Sequence, residues 1–138
     1  MTGAAQDTLH ALGIAKRAQF IAMLCGIFEH SPWVADAAWD KRPFAAIDEL
    51  HAAMLAAVYA ASSEAQLALI CSHPELGGKE ADAGTLTHES QSEQASAGLN
   101  RCTADELSRL RELNRAYREK FGFPFVIAVK GQSKHDIL

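Results

Sequence analysis

The sequence has no long apolar run and no excess of positive charge, and these absences exclude several classes of protein. No segment approaches the ~20 continuous apolar residues that a membrane-spanning helix needs, so we expect no membrane partner. The formal net charge is −4, and Lys and Arg are scattered, which argues against the basic surface that nucleic-acid binding requires. Aromatic residues make up only 7% of the chain while alanine is abundant, and this favours helix over strand.

Cysteine is also scarce, with three residues at Cys25, Cys71 and Cys102. They are far apart, and no CxxC motif or Cys/His pair has the spacing of a structural zinc site, so we expect no metal. Cys25 and Cys71 lie in apolar runs and are predicted to be buried free thiols. This cysteine usage fits a reducing cytoplasm.

Apolar periodicity and capping signals predict an all-α protein, a single-domain helical bundle over residues 1–138. A loose N-terminus is followed by an amphipathic helix over Ala18–His30. A helix that begins near residue 88 should reach about Leu99, and the longest helix should end at Gly122. The predicted N-cap residues of the later helices are Ser31, Asp48, Ser63, Thr87, Thr103 and Ser133.

One short segment, residues 123–129, departs from the helical pattern. It reads FPFVIAV, with β-branched residues in its middle, and it is bounded by Pro124 and Gly131. We predict that it is extended and buried. Its backbone N–H and C=O groups then need partners: either a neighbouring loop pairs with them, or the N–H groups face a polar ligand, as in an oxyanion-type site.

His73 ends an apolar helix predicted over Leu67–Cys71 and is followed by Pro74 and a glycine-rich loop. A proline disfavours helical geometry in the residue before it, so the helix should stop here. The histidine then either satisfies the last carbonyls of its helix or lies at a surface cleft, where an imidazole can transfer protons near neutral pH. Both interpretations stand at this point.

A second irregularity is the polar helix that follows Thr87. Ser90, Glu93, Gln94 and Ala97 are spaced i, i+3, i+4 and i+7, so they share one helix face. That face is polar and then small, where a core-facing stripe would be apolar. It is either a solvated surface or the lining of a ligand site.

Five strings, taken together and in order, resemble the 2-oxo-4-hydroxy-4-carboxy-5-ureidoimidazoline (OHCU) decarboxylase family. They are FEHSPWVADAAW, RPF, SHPELGGK, LTHESQSEQASAGL and LNRAYREKFGFPFVIAVKG, and the resemblance runs from about Phe20 to Leu138. It implies cofactor-independent decarboxylation of OHCU to (S)-allantoin, the third step of urate degradation in purine catabolism. It also implies an all-α fold, no metal or organic cofactor, and a homodimer that acts on this small-molecule substrate.

The resemblance implies that the family's two catalytic residues correspond to His73 and Glu93 in this chain. The resemblance also implies a C-terminal helix with a substrate-binding arginine beyond the segment that matches Ser133–Leu138; either the sequence is truncated before that helix or another cation takes the place of the arginine. Whether Glu93 orients His73 or binds the substrate stays open. The substrate-binding positions that the resemblance implies are Pro74, Ser90, Gln91, Ser92, Gln94, Phe125, Val126, Ile127, Ala128 and Val129.

Two other functions are alternatives to decarboxylation. The same pocket could serve a non-catalytic binding module for a purine catabolite. A metal-dependent hydrolase of ureido compounds is disfavoured, because the chain has no His-x-x-x-His pair of the kind that holds a metal on one helix face.

Overall fold

The computed structural model describes residues 3–138, and there it contains helices and irregular segments but no strand. The all-α prediction is therefore confirmed for the described residues. Met1 and Thr2, which belong to the predicted domain 1–138, lie outside them. The α-helices are α1 (Gly3–Ile14), α2 (Arg17–Leu24), α3 (Pro32–Ala38), α4 (Ile47–Ala60), α5 (Ser63–Ser72), α6 (Lys79–Ala83), α7 (His88–Ser96), α8 (Ala104–Phe121) and α9 (Lys134–Ile137).

Tertiary contacts divide the chain into two compact units, one up to Leu69 and one from Ile70 onwards. The boundary falls within helix α5. Each unit is described by itself below. The single-domain assignment stays a prediction.

The first unit has a core formed by α1 to α4. Phe20 is fully buried there and contacts the Trp39 ring edge-on, with 5.4 Å between ring centroids. Val34 and Met54 pack into the same cluster. The Arg42 guanidinium stacks on Trp39 and donates to the Trp39 carbonyl at 3.0 Å, which holds the chain between α3 and α4.

The N-terminal region differs from its prediction. Residues 3–14 are helical rather than loose, because Leu9 and Leu12 pack inward and give α1 a buried side. The helix predicted over Ala18–His30 ends earlier, at Leu24, and residues 25–30 form turns. His30 has a positive φ of 45°, a backbone geometry that cannot continue a helix.

Two of the predicted caps in this unit are displaced. Asp48 lies in the first turn of α4, whose N-cap is Ala46. Ser63 is the first residue of α5, and the preceding Ser62 accepts a hydrogen bond from Ala65 N at 3.2 Å. The Ser31–Pro32 prediction is confirmed, since α3 begins at Pro32 with Ser31 as its N-cap.

The second unit has its own apolar cluster of Leu76, Ala97, Leu99, Leu110 and Val129. Thr103 and Ser133 are the N-caps of α8 and α9, as predicted, and each forms a capping box, with Glu106 and Asp136 respectively. Gly122 ends α8 in the left-handed conformation, as predicted. The segment after it, residues 124–129, is neither helix nor strand. The prediction that it is buried is wrong for most of its length: Val129 is buried, whereas Val126 is 47% exposed.

The prediction of buried thiols is wrong for Cys25 and Cys71, which are both exposed; all three cysteines are free. Cys71 lies on α5 and Cys25 directly follows α2. Each of these short helices buries only one side, so apolar neighbours in sequence do not bury a given position. Among the described residues no single helix is both long and apolar enough to cross a membrane. Only α4 and α5 together, across a bend, reach the necessary length and composition.

Candidate functional site

His73 follows the last residue of α5 and is partly buried in the second unit. Its backbone N–H donates to the carbonyl of Ile70 at 3.2 Å, the tight turn that closes the helix. Pro74 cannot continue the helix and directs the chain away from the α5 axis. The imidazole is thus held at the junction between a helix end and the loop 74–78.

Three polar side chains, distant in sequence, hold this loop in place. Gln94 on α7 accepts a hydrogen bond from Gly77 N at 3.1 Å. Asn114 on α8, only 2% exposed, donates to the Leu76 carbonyl at 2.9 Å. Arg111 donates to the Gly77 carbonyl at 3.1 Å and also forms an ion pair with Asp82. The backbone next to His73 is therefore tied to two helices.

Gly77 is the position where the loop needs glycine. Its φ is +60°, and a Cβ there would lie 2.9 Å from Leu110 Cδ2 and 3.0 Å from Leu107 Cδ1. An L side chain would therefore be both strained in its backbone and crowded against α8. This close approach packs the loop against Leu110, a member of the apolar cluster of the second unit.

Helix α7 presents the polar face that its spacing predicts. Thr87 caps it, accepting from Ser90 N at 3.3 Å. Ser90 and Gln94 are buried, at 8% and 6% exposure, whereas Glu93 is exposed. The face is therefore not a solvated surface along its whole length, because two of its polar residues face the interior of the second unit.

These elements enclose a cavity of about 50 Å³ in the second unit. It is bounded by the end of α5, the polar face of α7 and the segment 125–129, the three irregular features of the sequence. Both predicted catalytic residues line it. Its lining residues are His73, Pro74, Leu76, Ser90, Glu93, Gln94, Phe125, Val126, Ile127 and Val129.

A much larger open cleft of about 790 Å³ adjoins this cavity and shares Glu93 and Val129 with it. The cavity alone has room for little more than water. A metabolite-sized ligand that reached His73 would therefore extend into the cleft or displace part of the lining. Of the remaining predicted residues, Ser92 and Ala128 line the cleft. Gln91 lines neither space and lies on another side of α7, in a pocket with Gly77 and Leu107.

The segment 125–129 contributes apolar walls and backbone amides. The carbonyls of Ala128 and Val129 accept hydrogen bonds from the side chain and the backbone of Gln132, at 2.8 and 3.0 Å. The backbone N–H groups of residues 125–129 have no acceptor among the hydrogen bonds of residues 3–138. Such amides are suited to bind ring or carboxyl oxygens of a ligand.

Sequence reasoning missed Leu76 in the cavity and Asn114 behind it. Leu76 lies within the HPELGGK string, but nothing in its residue type distinguishes it from a core leucine. Asn114 has a usable signal: it interrupts the apolar face of α8, where a buried amide needs a partner. That partner, Leu76, is 38 positions away, which the local pattern does not reveal.

The chemistry available in this cavity is proton transfer and hydrogen bonding. An imidazole and a carboxylate line one small space together with the apolar residues Phe125, Val126, Ile127 and Val129. This is the composition of an acid–base site with a means of stabilising a developing oxyanion. Within residues 3–138, no three His, Cys, Asp or Glu side chains come together as a candidate metal site.

This chain is similar in sequence to a known family of proteins and to several of its members. The sequence model of the family described as OHCU decarboxylase matches residues 14–138. A 2-oxo-4-hydroxy-4-carboxy-5-ureidoimidazoline decarboxylase of Halalkalicoccus jeotgali is 43% identical over 91% of this chain and 69% of its own length. One of Haloferax volcanii is 46% identical over 83% of this chain and 66% of its own length.

Two further similarities come from a longer protein and a crystal structure. A uric acid degradation bifunctional protein of a Bacillus species is 43% identical over 94% of this chain, which covers 25% of that protein. The crystal structure of an (S)-allantoin synthase superposes with a TM-score of 0.70 at 32% identity, covering 94% of this chain and 40% of the other. The chain thus spans about two thirds of the two archaeal relatives and a smaller part of these longer proteins.

Proposed function

Because this chain belongs to the OHCU decarboxylase family, we propose that it decarboxylates OHCU to (S)-allantoin in urate degradation. One observation supports this most directly: His73, Glu93 and the segment 125–129 line a single cavity. The relatives whose names state this activity, and the (S)-allantoin synthase whose fold matches, support the choice of substrate.

The reaction needs no external electron sink. The substrate carbon that bears the carboxylate also bears a hydroxyl, and it adjoins a ring carbon doubly bonded to nitrogen. When the bond to CO2 breaks, its electron pair forms a carbon–carbon double bond, and the former C=N electrons move to nitrogen, which takes a proton. The product of this step is an enol, which becomes allantoin when its hydroxyl loses a proton and the ureido-bearing carbon gains one.

His73 is the group that we assign to proton transfer. An imidazole exchanges protons readily near neutral pH, and the turn at Ile70 together with Pro74 fixes its backbone. Protonation of the ureido-bearing carbon from one face only would give the (S) product. The wall formed by Phe125, Val126 and Ile127 would hold the ring so that this face is presented to His73.

Glu93 and the backbone amides would handle the charge on oxygen. A carboxylate at the cavity edge can accept the hydrogen bond of the substrate hydroxyl and take its proton as the enol collapses. The N–H groups of residues 125–129 would bind the ring oxygens. Ser90 and the remaining polar lining of α7 would bind the ring and ureido amides, as proposed from the resemblance.

The activity is tested by generating OHCU from urate with the two upstream enzymes and following the optical rotation of the allantoin formed. The wild-type chain should give dextrorotatory product faster than the racemic background. His73→Asn and Glu93→Gln should each lower kcat at least ~100-fold, the usual scale for a positioned acid–base group. Circular dichroism should show that both variants remain folded.

Matched controls lie nearby. His88→Asn and Glu89→Gln change exposed residues of α7 that line no described cavity, and they should keep kcat within about twofold of wild type, as surface changes usually do. Near-normal turnover in His73→Asn or Glu93→Gln would contradict the assigned roles. A wild-type chain that binds allantoin but leaves the racemic background unchanged would indicate the binding module instead.

We also propose that the protein works as a cytoplasmic homodimer. The resemblance supports the dimer, and the three free cysteines are compatible with a reducing compartment. Large apolar side chains left exposed in the first unit, such as Ile27 and Tyr59 at 61% and 77%, are candidates for coverage by a second copy. Light scattering after size exclusion should give twice the chain mass; a monomer at micromolar concentration would contradict it.

A further inference from the structure

The cleft beside Glu93 contains an arginine that stands apart from the others in its unit. From Ile70 onwards the chain has five arginines. Arg109, Arg111, Arg115 and Arg118 each have a carboxylate partner. Among the ion pairs and hydrogen bonds of residues 3–138, the guanidinium of Arg101 has none. An unpaired guanidinium at the edge of a cleft is available for an anion from solution.

The position of Arg101 is set by the end of α7. Gly98 adopts a left-handed conformation, with φ of +80°, and starts the turn Leu99–Arg101. This turn brings the side chain back over the helix end: a Cβ placed on Gly98 would lie 4.0 Å from a guanidinium nitrogen of Arg101. The charge is thereby held above the C-terminus of the helix that carries Glu93.

Lys130 adds a second cation to the same cleft. It follows Val129 directly, at the end of the segment that lines the cavity. The cleft also contains Asp136, but that carboxylate accepts hydrogen bonds from the backbone N–H and the hydroxyl of Ser133, both at 2.8 Å. Asp136 is therefore engaged in capping α9, whereas Arg101 and Lys130 have no such partner within the described chain.

We propose that Arg101 and Lys130 bind the carboxylate of the substrate at the open side of the site. The proposal rests on the proposed function, because the substrate is an anion whose carboxylate must approach a protein of net charge −4. The cavity at His73 is too small for the whole molecule, and the adjoining cleft in which these cations lie has room for the rest of the substrate. Guanidinium and ammonium groups at a cleft mouth attract such an anion and raise its association rate.

The chemistry of the step predicts which kinetic constant these residues affect. The carboxylate is charged in the bound substrate and leaves as neutral CO2, so cations on it stabilise the ground state at least as much as the transition state. Such contacts lower KM without raising kcat. Arg101 and Lys130 are therefore assigned to substrate binding and are separate from the acid–base pair.

The test is to measure kcat and KM for OHCU in Arg101→Gln and Lys130→Gln. Each substitution should raise KM about tenfold, the scale of one charge-assisted hydrogen bond, and leave kcat within about twofold. Arg101→Lys should restore much of the affinity. In wild type, kcat/KM should fall as ionic strength rises from about 0.02 to about 0.3 M, and the dependence should be weaker in both glutamine variants.

Arg109→Gln is the matched control, since Arg109 is an exposed arginine of α8 paired with Glu112 and lines no described cavity. It should leave KM and the salt dependence unchanged. If Arg101→Gln and Lys130→Gln behave like this control while wild type is active, the proposal is overturned and the proposed function stands. A lower melting temperature of Arg101→Gln with unchanged KM would also overturn it, in favour of a helix-capping role. An inactive wild-type chain would overturn both.

Discussion

Gly77 is the residue on which the geometry of the site loop depends most directly. Gly77→Ala should destabilise the fold for two reasons. A left-handed backbone costs a non-glycine residue about 1–2 kcal/mol, and crowding against Leu110 at 2.9 Å adds about 1–3 kcal/mol of overpacking. Urea unfolding measures the sum, and kcat/KM should fall as well, because the loop carries Pro74 and Leu76 of the cavity.

A substitution at a second glycine, Gly84, measures the backbone cost without the crowding. Gly84 has a similar φ of +66°, but a Cβ there would meet nothing within 4 Å. Gly84→Ala should therefore lose only the backbone part of the free energy and leave activity unchanged. Equal losses in the two variants would show that the packing against Leu110 contributes nothing.

Asn114 acts at the same scale, through one buried hydrogen bond. Asn114→Leu leaves the Leu76 carbonyl without its donor, which should cost about 1–3 kcal/mol in unfolding free energy. Because Leu76 lines the cavity, kcat/KM should fall while the helix content stays constant. Asn100→Leu, at an exposed position, is the comparison; a similar effect there would contradict the specific role of Asn114.

At the level of helices, Glu106 joins the start of α8 to α9. Its carboxylate accepts from Thr103 N at 2.8 Å in the capping box and from Lys134 Nζ at 2.6 Å, with His135 nearby. The Lys134 hydrogen bond, then the Thr103 amide, lower the pKa of Glu106 below its ordinary 4.5. The ionised form is therefore the one that the fold stabilises.

The lowered pKa of Glu106 makes the stability of the fold depend on pH. A carboxyl group with a lowered folded-state pKa contributes stability above its unfolded pKa, and the contribution disappears as pH falls through the folded-state value. Glu106→Gln should thus lower the melting temperature at pH 7, and the difference from wild type should be smaller at pH 3, below the ordinary carboxyl pKa of 4.5. A difference as large at pH 3 as at pH 7 would show that the amide fails for steric reasons. Glu112→Gln, in an exposed pair with Arg109, should have little effect at either pH.

At the scale of the whole molecule, the chain has two apolar clusters, one in each compact unit. Helix α5 continues through the boundary between Leu69 and Ile70, so the helix cannot melt on one side without losing hydrogen bonds that extend into the other. We therefore expect one cooperative unfolding transition, as the prediction of a single domain requires.

Calorimetry of two core variants tests this expectation. Met54→Ala in the first cluster and Leu110→Ala in the second each remove a side chain that is 2–3% exposed, at a cost of about 2–5 kcal/mol. Both should move the same single transition to lower temperature. Two transitions, each shifted by only one of the variants, would contradict the single domain.

Local features of the sequence predicted the helices well, because a helix is decided by contacts within four residues. Thr103 and Ser133 cap their helices as expected, Thr87 accepts a hydrogen bond from Ser90 N, Gly122 adopts a left-handed φ, and Pro32 at N1 begins α3. The same locality explains the failures: Ala46 caps α4 without a side-chain signal, and α1 is stabilised by burying Leu9 and Leu12 rather than by any cap.

By itself, the sequence determined the fold class, the family, and the three irregular features that surround the cavity. The tertiary structure alone decided which polar residues of α7 are buried, that Asn114 holds Leu76, and that Arg101 beside the site has no carboxylate partner within residues 3–138. These properties depend on contacts between residues tens of positions apart. Burial and hydrogen-bond pairing are set by the packed arrangement of helices, which residue spacing along one helix does not contain.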